Sequence, residues 1–340
     1  MPRLKRVDCS GPGIKRRRAG KGFTYYGPDG ARVTDPETLA RIRGLAIPPA
    51  WTDVWISSHP MGHIQAIGID AKGRKQYRYH DKWRESRDRE KFDHMVDFAR
   101  ALPKIRYFAA EHLAQEGLTR QRVLACAVRL LDLGFFRIGS EGYADENQTY
   151  GLATMRKKHV RIEGDVVVFD YVAKSGKRRV QSVADQDVLA VVRELKARRR
   201  GGQELLAWSE GQRWVDVKSA DINAYIKELT GGDFSAKDFR TWNATVFAGV
   251  ALAVSSTMAK SASGRKRAIA RAMSEVADYL GNTAAVCRSS YVDPRIIDRY
   301  TAGATVLDAL ACLDEDSGLS GLHTHGAIEE AVLDLLEEAA

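Results

Sequence analysis

The chain has 340 residues, 44% of them apolar, with 53 Lys and Arg against 44 Asp and Glu for a net charge of +9. That length buries a real core and suggests two domains, and four widely spaced cysteines (Cys9, Cys126, Cys287, Cys312) with no C-x-x-C pair exclude a zinc site or a disulfide framework. Residues 304–340 hold nine acidic and no basic side chains, which leaves 53 basic against 35 acidic in residues 1–303, a net of +18 suited to a polyanion, nucleic acid foremost.

In chain order, residues 1–22 contain the run Ile14-Lys-Arg-Arg-Arg-Ala-Gly-Lys-Gly, which reads as a basic flexible arm. The start is basic and polar, so no signal peptide is expected, and the chain reads as a reduced, cytoplasmic, nucleoid-associated protein. Residues 23–82 carry short strand signals: Phe23-Thr-Tyr-Tyr before a turn, Val54-Trp-Ile, the alternating His63 to Asp70, and Lys75-Gln-Tyr-Arg-Tyr-His after the Ala71-Lys-Gly turn. They predict a small antiparallel β domain. From about residue 81 the sequence becomes charged and helix-forming, and residues 83–303 predict a larger, mainly helical domain.

Within that domain, Val123, Cys126, Ala127 and Leu130 follow the helical period and stop at Gly134. Residues 158–183 alternate as strands around Ala173-Lys-Ser-Gly-Lys, which puts Lys174 on a hairpin turn in a three-stranded insert. Helices are expected at about 185–199, 218–229, 236–255 and 264–280, the last ending at Gly281. The uncharged stretch from Thr241 to Ala259 is marginal in length for a bilayer and predicts a buried core helix, so no membrane partner is expected. Residues 304–340 read as an acidic tail with one or two short helical segments, either a docked helix or a mobile tail, whose removal is expected to tighten nonspecific DNA binding.

No Walker A run is present, because Gly20-Lys21 is followed by Gly22, and there is no H-E-x-x-H or EF-hand loop. His323 and His325 in a glycine-rich stretch do not amount to a metal motif. No nucleotide, metal or other cofactor is therefore expected.

Five segments carry chemistry. Phe135-Phe-Arg-Ile-Gly-Ser-Glu places Arg137 after a helix end; Tyr171-Val-Ala-Lys places Lys174 on its hairpin. Ser235-Ala-Lys-Asp-Phe-Arg-Thr-Trp opens with a Ser-x-x-Asp capping box and puts Arg240 in the first turns of a helix. Gly281-Asn282 follows a helix stop, and Cys287-Arg-Ser-Ser-Tyr-Val-Asp-Pro-Arg sets Tyr291 just before a helix capped by Asp293 with Pro294 at its first position.

In this order and spacing, with K-x-x-R followed downstream by S-x-Y-x-D-P-R, the chain resembles the type IB DNA topoisomerases, of the compact poxvirus-like kind found in bacteria, from about residue 23 to 303. The resemblance implies an α+β protein, a small antiparallel β domain plus a mainly α catalytic domain, acting as a monomeric clamp on double-stranded DNA. It implies a nucleophile at Tyr291 that forms a 3′-phosphotyrosyl link, with Arg137 and Arg240 bracing the charged transition state. Lys174 then matches the general acid, and Lys237, three residues before Arg240, a second lysine that assists proton delivery. Asn282 stands where the viral enzymes carry histidine; it can donate a hydrogen bond to a phosphate oxygen but cannot exchange protons near neutral pH. Gln76, Tyr77 and Tyr79 match a DNA-reading strand, with the two tyrosines on one face, and Tyr143 matches a phosphate contact. The implied reaction nicks one strand, lets it rotate and rejoins it without ATP or metal. Two other readings use the same features: a tyrosine recombinase, although those enzymes typically carry His where this chain has Lys237, and a basic architectural protein for which charge alone suffices.

Overall fold

The computed structural model describes residues 3–134, 136–259, 261–311 and 326–338. Two compact units divide the chain, residues 1–91 and 92–340.

The first unit is a five-stranded antiparallel sheet in the order β2-β1-β3-β4-β5, formed by β1 (Ile14–Ala19), β2 (Gly22–Tyr26), β3 (Thr52–Ile56), β4 (Ile64–Ile69) and β5 (Lys75–Tyr79). Helix α1 (Pro36–Gly44) starts at Asp35, whose carboxylate accepts from the Thr38 N–H, and contributes Ile42 to a core with Ile14, Leu45, Val54, Ile56 and Ala66. The arginine run is therefore a strand and not an arm. Ile14 is buried opposite Ile56, and a two-residue turn with Gly20 at φ +58° returns the chain into β2. Charge does not prevent this, because the Arg16 guanidinium lies 4.1 Å over the Phe23 ring and donates to the carbonyls of Pro48 and Trp51, at 3.1 and 2.6 Å.

The second unit is mainly helical, with two small sheets. Helix α2 (Asp81–Leu113) leads into it, followed by α3 (Arg120–Gly134) and the short α4 (Glu141–Asn147). A three-stranded antiparallel sheet follows, β6 (Val160–Glu163), β7 (Val166–Val172) and β8 (Arg178–Val183), then α5 (Gln186–Ala197). A hairpin that the sequence reading did not anticipate, β9 (Ala207–Glu210) and β10 (Arg213–Asp216), precedes α6 (Ser219–Thr230). The remaining helices are α7 (Ala236–Ser256), α8 (Ala262–Leu280), α9 (Ala284–Ser290), α10 (Pro294–Ala302), α11 (Leu307–Ala311) and α12 (Gly326–Glu337). No helix among the described residues is long and apolar enough to cross a membrane. The stretch expected as a core helix is most of α7, which packs against α3, α8, α10 and α12.

Of the two readings left open for the C-terminal region, α12 takes that of a docked helix. Ile328, Val332 and Leu336 of α12 are fully buried. Glu329 and Asp132 each take paired hydrogen bonds from the Arg106 guanidinium, at 2.5–2.9 Å, and Glu329 also accepts from the Trp242 indole at 3.1 Å. Burial works against the Arg106 charge, but these bonds outweigh it and leave the guanidinium pKa raised. Removing residues 304–340 would strip four core side chains, Val306 among them, as well as nine carboxylates, so a change in DNA affinity could not be assigned to charge. Cys312, His323 and His325 lie outside the described residues.

Glu329→Ala would leave Arg106 and the Trp242 N–H short of their partner in a buried site. The expected cost is about 3 kcal/mol, read as a lower urea midpoint on the full chain, with a smaller loss in Glu329→Gln because an amide oxygen still accepts from Trp242.

Candidate active site

Helix α7 begins with the anticipated cap. Asp238 accepts from both the N–H and the hydroxyl of Ser235, at 2.8 and 3.0 Å, and this fixes the first turns that carry Arg240. Arg240 is only 5% exposed. Its guanidinium donates to the Leu280 carbonyl at 3.0 Å, at the end of α8, and its carbon sits 5.4 Å from the centre of the Tyr291 ring. Burial, reinforced by the positive charge of Arg137, pulls its pKa down to about 10.

Arg137 lies three residues past α3 on a segment whose carbonyl accepts from the Leu152 N–H at 2.8 Å. That pairing requires a close backbone pass: a Cβ at Gly151 would stand 2.5 Å from the Gly139 backbone and 2.7 Å from the Arg137 oxygen. The Arg137 guanidinium donates to Asn282 Oδ1 at 2.5 Å. Asn282 is itself set by the α8 stop, where Gly281 at φ +66° takes the left-handed turn and the Asn282 N–H returns to the Ala277 carbonyl at 2.9 Å. With Oδ1 engaged by Arg137, the amide Nδ2 is buried with no hydrogen-bond partner among the described residues beyond the neighbouring Cys287 thiol, a weak acceptor. A buried donor left open is costly, and an incoming anionic oxygen would satisfy it.

Tyr291 closes α9, with its N–H on the Cys287 carbonyl, and Asp293 caps α10 by accepting from the Arg295 N–H at 2.9 Å. Burial pushes the Tyr291 phenol up, but the charges and hydrogen bonds of Arg240 and Arg137 outweigh it and leave the pKa below its ordinary value. Two guanidinium groups from distant segments thus converge on one phenol, an arrangement able to hold an oxyanion or the oxygens of a phosphoryl group.

Lys174 stands on the turn between β7 and β8, where Gly176 donates to the Ala173 carbonyl at 3.1 Å and Ser175 adopts φ +68°. It lines the same cleft as Arg137, Arg240 and Gly281. Lys237 is exposed on the first turn of α7 and is not among the residues lining that cleft.

In the first unit, Tyr77 and Tyr79 share a face of β5, as the alternation requires, with rings stacked 6.0 Å apart and Tyr77 45% exposed. Gln76 points the other way and donates to Asp70 at 2.9 Å. Tyr143 belongs to α4, and its side chain lies outside the described residues. No group of three or more His, Cys, Asp or Glu suited to a metal occurs among the described residues.

Sequence reading missed Arg179. From β8 its guanidinium donates to the carbonyls of Asp278, at 2.7 Å, and Tyr279, so Arg179 and Arg240 together satisfy the last carbonyls of α8. Nothing in the sequence separates it from its neighbour Arg178, which pairs with Asp170. Gly151 was missed as well, since only the fold shows which segment passes close.

Residues 80–306 match the family model described as eukaryotic DNA topoisomerase I, catalytic core, and residues 22–70 match bacterial DNA topoisomerase IB, N-terminal domain. The chain is 33% identical over 294 residues to the DNA topoisomerase 1B of Acanthamoeba polyphaga mimivirus, covering 85% of this chain and 87% of that one. It is 26% identical over 137 residues to the DNA topoisomerase 1B of Vaccinia virus (strain Copenhagen), covering 39% and 44%. Against the DNA topoisomerase 1 of Daucus carota the identity is 26% over 183 residues, 53% of this chain and 20% of the relative.

Because both guanidiniums favour the phenolate, Arg137→Gln is expected to raise the Tyr291 pKa. Ultraviolet titration of the phenol, referenced to Tyr291→Phe, checks this; an unchanged titration would remove Arg137 from the electrostatics of the site.

Proposed function

This chain belongs to the type IB DNA topoisomerases, and we propose that Tyr291, Arg137, Arg240, Asn282 and Lys174 are the groups through which it relaxes supercoiled DNA. The observation that supports this best is the convergence of Arg137 and Arg240 on the Tyr291 phenol, with Lys174 lining a cleft that the two arginines also line.

In this reading the Tyr291 Oη, having lost its proton to water under the charges of Arg240 and Arg137, attacks a backbone phosphorus. A tyrosyl–phosphorus bond forms as the bond to the 5′-oxygen breaks, and that oxygen takes a proton from Lys174. One phosphoester replaces another, so the bond energy is conserved and the nicked strand, held by a 3′-phosphotyrosyl link, can rotate before the 5′-hydroxyl attacks in reverse. Arg137 and Arg240 donate to the non-bridging oxygens, where charge accumulates. Because they are held in place before substrate arrives, little reorganisation is needed during the step. Asn282 adds a donor through Nδ2, oriented by the bond its Oδ1 accepts from Arg137. Lys237 shares a helix face with Arg240, three residues on, and approaches a bound strand from the same side to assist proton delivery.

For DNA contacts outside the cleft, the exposed Tyr77, stacked on a half-buried Tyr79, offers an aromatic face, and Tyr143 is assigned a phosphate. Gln76 would read a base only by releasing Asp70. All the proposed catalytic groups come from one chain, so the protein acts as a monomer on duplex DNA, in the nucleoid.

Purified protein is expected to relax plasmids of both superhelical signs in EDTA without ATP, and Tyr291→Phe to abolish both relaxation and the denaturation-resistant DNA adduct; relaxation by that variant would overturn the assignment. Arg240→Ala or Arg137→Ala should slow adduct formation by roughly 10²–10³-fold, about 3–4 kcal/mol of transition-state stabilisation.

A further inference from the structure

Thr245 is fully buried on α7, five residues after Arg240. Its hydroxyl accepts from the Asp293 N–H at 3.1 Å and has two carbonyls within reach of its single proton, Thr241 on its own helix at 3.0 Å and Tyr291 at 3.3 Å. The Met95 sulfur lies 3.4 Å away. The backbone on either side of Val292 is therefore attached to one side-chain oxygen.

We infer that Thr245 is a positioning residue for the nucleophile, holding the Tyr291 peptide at a fixed height on α7 so that its phenol meets Arg240. Three features support this. Five residues of helix rise about 7.5 Å, comparable with the length of a tyrosine side chain, so one rigid element holds both ends of Tyr291: the hydroxyl of Thr245 at the backbone and the guanidinium of Arg240 at the ring. Tyr291 also ends α9, where the last carbonyls lack partners within the helix. Finally, the hydroxyl proton can turn between the Thr241 and Tyr291 carbonyls while its oxygen keeps the Asp293 N–H. The Asp293 N–H, two residues past the nucleophile, thus stays bound to Thr245 whichever carbonyl takes the proton. The oxygen touches neither the phenol nor any reacting atom, so its effect passes through the backbone.

This inference rests on Tyr291 being the nucleophile, and the test separates the two. Thr245→Val keeps shape and removes the hydroxyl. Single-turnover adduct formation is expected to slow about 10- to 100-fold, the scale of a misplacement near 1 Å, with duplex affinity unchanged when measured in the Tyr291→Phe background. Thr245→Ser keeps the oxygen and should cleave within about threefold of wild type; Thr245→Ala should be slow, and stands in if the valine variant does not fold. A substrate with sulfur in place of the leaving 5′-oxygen leaves without a proton. It should rescue Lys174→Ala but not Thr245→Val. Wild-type cleavage by Thr245→Val, a slow Thr245→Ser, or rescue of Thr245→Val by the sulfur substrate would overturn the inference. A wild-type adduct mapped by peptide analysis to a residue other than Tyr291 would remove both assignments.

Discussion

Two guanidinium groups brought to one phenol, Arg240 buried and Arg137 half-buried, are the constraint around which the catalytic unit is organised. Like charges repel, and burial denies water to Arg240 and part of it to Arg137, so each is held by groups of fixed position. Arg240 has the Leu280 carbonyl and the face of Tyr291; Arg137 has the Asn282 amide oxygen and a backbone pinned by the pass of Gly139 against Gly151. Arg240 and Asn282 both depend on the end of α8, which is why the left-handed turn at Gly281 matters beyond its own residue. The depressed pKa of Arg240 expresses the unfavourable side of this arrangement, and the depressed pKa of Tyr291 the favourable side. In the proposed reaction, a DNA phosphate would bring the negative charge that balances the pair.

The same helix that carries Arg240 also anchors the C-terminal helix. On α7, Trp242 donates to Glu329 of α12, and Asn243 donates to the Asp132 carbonyl of α3 at 2.8 Å. Arg106 closes this network by binding Asp132 and Glu329 together. Some side chains of α7 thus face the cleft while their neighbours join a buried ion network. The stability of the C-terminal helix and the rigidity of the site are therefore properties of one element.

Much of this was legible in the sequence, for identifiable reasons. Caps and stops are local, so the Ser235 start, the Gly281 stop, the Asp293–Pro294 start and the Lys174 turn could all be read from a few residues. The alternation that put Tyr77 and Tyr79 on one face is equally local. What escaped depended on contacts distant in the chain. The run Arg16 to Arg18 read as a solvated arm because nothing beside it shows that the carbonyls of Ile47, Pro48 and Trp51 receive the Arg16 guanidinium, or that Ile56 is the strand partner of Ile14. Arg179, Gly151 and Thr245 escaped for the same reason, since each acts on backbone that is remote in sequence. The acidic C-terminal segment stayed open between a docked helix and a mobile tail because composition counts its carboxylates and does not show that Ile328, Val332 and Leu336 face the core.

The pairing of those carboxylates changes what the charge of the chain means. Glu329, Glu337 and Glu338 are joined to Arg106, Arg100 and Arg299. A division of the sequence into a basic body and an acidic tail therefore does not describe two opposing fields, because part of each cancels at short range within the folded unit. What an approaching polyanion senses at a distance is the remainder. Folding leaves the sum of +9 unchanged; what it sets is where the cations without an internal anion stand, and the shape of the field close to the surface follows that distribution rather than the order of charges along the chain.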